Sequence, residues 1–142
     1  MTEPNRPGGW RRTFVSVVAA ISGGWMVAVG VWALLAPRPF SEWIDFPPYH
    51  EHLLHDAGAF QIGIGVSVLA ALFWSDALVV ALLGFVAAGG IHTVNHWVDL
   101  RLGGHNYDAW LIGSSTLLAA VALAMQIRGS KINTATQEGQ SR

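Results

Sequence analysis

From Thr13 to Ala36 the chain carries no Asp, Glu, Lys or Arg. As a helix rising 1.5 Å per residue, that run is roughly 36 Å long, enough to cross a bilayer with some tilt. In hydrocarbon every backbone polar group must be satisfied within the segment, so the run can only be helical. No other feature constrains the fold as strongly, because the rest of the chain repeats it. A second helix is expected from about Glu51 or His52 to Trp74, and a third from the short Ser75-Asp76 turn to about Asp99. A fourth spans about Ala109 to Ile127. The expected fold is all-α, a four-transmembrane-helix bundle over residues 13–127. A flexible tail is expected at residues 1–12 and a disordered polar tail at 128–142.

Composition supports the same class. Only 12% of the residues are charged, about half of what a soluble domain carries. Net charge is −1 and there is no basic stripe to grip phosphates, so nucleic acid is not an expected partner. The absence of cysteine excludes disulfides, thiolate metal sites and iron–sulfur clusters. Most of the seven tryptophans fall at the ends of apolar runs, where amphipathic rings prefer the headgroup level.

Arg11-Arg12-Thr13-Phe14-Val15 resembles a twin-arginine signal, but the apolar run that follows is too long for a cleaved signal peptide. Pro37 and Pro39 end the first helix, because proline breaks the hydrogen-bond ladder. The loop to Tyr49, with Phe40, Trp43, Phe46 and Pro47-Pro48, is expected to lie along the membrane surface. Arg6, Arg11, Arg12, Arg128, Lys131 and Arg142 flank the ends of the four-span unit, against only Arg38 and Arg101 in the loops opposite. By the positive-inside rule both termini are cytoplasmic, and the protein belongs to the inner (plasma) membrane.

The candidate chemistry lies in the histidines. Tyr49 to Asp56 reads Tyr-His-Glu-His-Leu-Leu-His-Asp, and His92 and His96 stand inside a later apolar run. Ionisable groups at membrane depth are costly and usually functional. In a helical hairpin turning near residue 75, residues of equal depth have numbers that sum to about 149. His52 is then level with His96, and His55 and Asp56 with His92 and Thr93. All six histidines fall in the outer half of the membrane. His52, His55 and Asp56 share a helix face with Ala59, Gly63 and Val66; His92, His96 and Asp99 share one with Gly89 and Phe85. The cost of exposing polar groups to lipid predicts that the two stripes face each other inside the bundle.

So placed, His52, His55, His92 and His96 form an all-nitrogen set for copper, zinc or iron. Asp56 and Asp99 would complete it or orient the imidazoles. His50, Glu51 and His105 are rim residues. A polar network without metal, with Asn95 as a further partner, or a proton or pH-sensing relay, would use the same groups. Gln61, in mid-helix, is expected to bond a neighbouring helix.

Four short spans, a long first outer loop and a tight second-to-third hairpin resemble the DoxX-like small bacterial membrane proteins. So do the phrases His55-Asp56-Ala57-Gly58-Ala59-Phe60-Gln61-Ile62-Gly63 and His92-Thr93-Val94-Asn95-His96. The resemblance covers residues 13–127. It implies a bundle and a redox-linked partner role, and it assigns no catalytic residue.

The preferred reading is a membrane protein that binds a transition metal through histidines near its outer face, for metal handling or a redox-linked role. With no nucleophile–base set in view, hydrolysis is disfavoured. The competing readings are a haem b protein, ligated by His55 and by His92 or His96, and an accessory or scaffolding subunit whose polar network fixes helix packing. A membrane hydroxylase is a weaker option. The lipid bilayer is the first partner; the glycine-bearing helix faces allow a homo-oligomer, and the resemblance implies a membrane redox partner.

Overall fold

The computed structural model describes residues 9–140. Residues 1–8 of the expected N-terminal tail lie outside them, and residues 9–12 are helical. The described residues form α1 (Gly9–Leu35), α2 (Pro37–Trp43), α3 (Glu51–Ala71), α4 (Ser75–Val98) and α5 (Asp108–Gln140), with no strand. All but α2 are long and apolar enough to cross a membrane, over Gly9–Leu35, Glu51–Ala71, Asp76–Val98 and Asp108–Gly129. This is a membrane-type helical protein. Helix α5 continues unbroken past residue 127, where a tail was expected, and reaches Gln140.

Local chemistry sets the helix ends. Pro37 opens α2, where a missing N–H is harmless. The Nδ1 of His50 accepts from Leu53 N (3.1 Å), capping the start of α3. Asp76 and Asp108 stand in the first turns of α4 and α5, where a carboxylate complements the helix dipole.

The first and last spans and the α3–α4 turn place α1's start, that turn and α5's exit at one end of the bundle, here the termini end. The opposite end carries α2, both long loops and the histidines. The closest pairings are α1 with α3 and α4 with α5. On α1 and α3 the close approach is glycine against glycine. A β-carbon on Gly23 would lie 2.9 Å from the Gly65 carbonyl oxygen, and one on Gly30 2.7 Å from that of Gly58.

The core is uneven along the bundle axis. In the termini half, Val15, Ala19, Val68, Leu78, Leu82, Phe85, Ala119 and Leu123 pack together from all four spans. Toward the histidine end, the second cluster of Val29, Ala33, Phe40 and Leu54 draws on α1, α2 and α3 only. There the halves are joined by loops. Gly104 N donates to Asp45 O (2.7 Å), and a β-carbon on Gly103 would also strike that oxygen at 2.7 Å. Gly103 and Gly104 have φ of +139° and +85°, a region that favours glycine, so this loop is shaped to sit against the α2–α3 loop.

Candidate functional site

The α3 half of the expected site faces outward. Its stripe of Ala59, Gly63 and Val66 is exposed, and nothing lies within 4 Å of a β-carbon placed on Gly63. Helix α3 buries Leu54, Gly58, Gly65, Val68 and Ala71 instead. The His52 side chain is 81% exposed and meets Asp56 of the same helix at 3.5 Å. His55 is half-buried, and His50 is spent as the α3 cap. The inward-turning expectation fails here for a physical reason. Residues 51–56 are the first turns of α3, at the end of a candidate span, where a polar side chain need not turn inward.

The α4 half turns inward only in part. Phe85 is in the core, Gly89 lies against Thr116 of α5 and His96 is half-buried, but His92 is exposed. The His92 and His96 rings meet edge to face with centroids 4.7 Å apart. Beside this pair stand Gly104 of the α4–α5 loop and, across it, Asp108 at the start of α5. A β-carbon placed on Gly104 would lie 3.2 Å from Asp108 Oδ2 and 3.6 Å from His96 Nδ1, so the loop glycine is held between carboxylate and imidazole. Asp108 Oδ2 accepts from the backbone N–H of His105 (2.7 Å) and stands 3.6 Å from His105 Nδ1. His105 stacks on Tyr107 with centroids 4.9 Å apart. Asp99 is the exposed C-cap of α4 and takes no part.

Sequence reasoning missed Asp108. Its signal was the spacing His105-x-x-Asp108 at a helix start, where an acidic side chain reaches back to a free backbone N–H.

These positions overturn the metal centre. Among the described residues no group of three or more His, Asp or Glu side chains is placed to hold a metal ion. His52, His55, Asp56, His92, His96 and Asp99 therefore do not form the expected copper, zinc or iron site, and the metal-handling reading falls with it. The arrangement can fix helix ends and loops through hydrogen bonds and ring contacts. Gln61 also departs from expectation, since its Oε1 is buried without a hydrogen-bond partner.

At the rim Tyr49 donates to Glu51 Oε2 (3.1 Å) while the Arg38 guanidinium lies 4.3 Å from its ring centroid. The phenol is held above the usual tyrosine range, first by partial withdrawal from water and then by the bond to Glu51 and its charge; Arg38 works the other way.

No family model matches the chain, and no curated protein or solved structure matches it.

Proposed function

We propose that the chain is a multi-pass membrane protein of accessory or scaffolding type, whose polar groups at the histidine end are structural. One observation carries this reading: those groups are spent locally rather than converging on a substrate or ligand. His50 caps α3, His52 pairs with Asp56, and Asp108 brackets the turn into α5 through His105. The placement of arginine and lysine supports an orientation with both termini cytoplasmic and the histidine end outside. The likeness to DoxX-like proteins is compatible with such a role.

The test uses detergent-purified protein. Asp108→Ala is expected to lower stability by about 1–2 kcal/mol, the loss of a capping side chain, read as a lower midpoint in thermal unfolding. The absorption spectrum should be featureless in the visible. Mild extraction from native membranes should yield a complex larger than the chain's own oligomers. A Soret band, or extraction of the chain alone, overturns the proposal. A C-terminal reporter found outside the cell overturns the orientation.

A further inference from the structure

The termini end gathers cations that no described carboxylate neutralises. Arg11 and Arg12 stand in the first turn of α1, and Arg128 stands beside Gly129 at the close of the α5 span. Arg12 and Arg128 are exposed, whereas Arg11 is half-buried because its guanidinium lies over Gly129. A β-carbon on Gly129 would run into Arg11 Nη2 and come within 2.8 Å of Cζ. The absence of that side chain makes the seat.

Among the described residues the two ion pairs are His52–Asp56 and His105–Asp108, both at the opposite end. Asp76, at the start of α4, is the acidic side chain described at the termini end; it is exposed and in neither pair. A guanidinium keeps its charge and presents five N–H donors in a fixed fork. Half-withdrawn from water, such a group calls for an anionic acceptor. The spans begin at Gly9 and end at Gly129, so this cluster lies at the level of lipid phosphates. Exposed Trp10 sits beside it, as interfacial aromatic residues do.

We propose that α1 and α5 form a headgroup site for an anionic phospholipid, with the phosphate held by Arg11 in its seat on Gly129 and flanked by Arg12 and Arg128. Basic pockets between spanning helices recognise anionic headgroups in this way. The site goes beyond the scaffolding role and does not depend on it.

The experiment titrates full-length protein in neutral detergent with phosphatidylglycerol, phosphatidylcholine or inorganic phosphate, following the unfolding midpoint. Phosphatidylglycerol should raise the midpoint saturably, and the other two should not. Arg128→Gln should weaken phosphatidylglycerol about fivefold, the effect of one arginine near a membrane surface. Gly129→Ala changes no charge but displaces the Arg11 guanidinium, and should weaken the lipid at least as much. Helix content by circular dichroism confirms that each variant is folded, and Arg128→Gln carries the test if Gly129→Ala is not. Equal responses to the two lipids, or reproduction of the effect by inorganic phosphate, overturn the site. So does a folded Gly129→Ala variant with unchanged affinity, because diffuse attraction to charge would not notice the seat.

Discussion

Gln61 Oε1 is buried in the middle of a span and accepts no hydrogen bond among the described residues. It lies two turns from Leu54 on one side and two turns from Val68 on the other, which belong to the two separate core clusters. A buried acceptor left unpaired costs about 1–3 kcal/mol. Gln61→Leu, which keeps the bulk and removes the acceptor, should therefore stabilise the protein in detergent, and a lower unfolding midpoint would reveal a partner for the amide. The fate of the histidines shows how far single residues could be read from the sequence. The end of the bundle was legible, because the α3–α4 turn is short and sends both helices back to the same end. Facing was not. The penalty that turns polar groups inward lapses in the first turns of α3, so His52 and Asp56 stay outside; on α4 the apolar Phe85 and Gly89 pack inward, while His92 is exposed and His96 half-buried.

Among the elements, α1 and α3 depend most on what they lack. Gly30 and Gly58 each present a carbonyl oxygen within 2.8 Å of where the other's β-carbon would stand, and backbone cannot swing aside as a long side chain can. Gly30→Ala should force the helices apart and destabilise by about 1–3 kcal/mol, the usual cost of overpacking. Gly63→Ala is the control. Its β-carbon would meet nothing within 4 Å, and alanine favours helix over glycine by about 1 kcal/mol. The pair of midpoints should move in opposite directions, and a fall in both would contradict the packing described. The spans were legible from apolar runs, whereas the far end of α5 was not. Hydropathy marks where a helix leaves hydrocarbon, not where its hydrogen-bond ladder stops, so a polar continuation to Gln140 left no trace in that signal.

At the scale of the molecule the two seams divide the chain in sequence as well as in space. One glycine-lined pair lies within residues 9–71 and the other pair within 75–129, with only the turn at residues 72–74 between them. Chains cut within that turn and expressed as two pieces should co-purify, held by the shared core of Val15, Val68, Leu82 and Leu123. Recovery of either piece alone would show that the turn is needed for assembly. The same division bears on synthesis. During translation α1 meets α3 before any of α4 has left the ribosome, so the first hairpin can close in the bilayer while the second is still unmade. The Gly104–Asp45 bond between the loops can form only afterwards. Biogenesis of this protein is thus expected to run hairpin by hairpin, with the loop clasp as its last step.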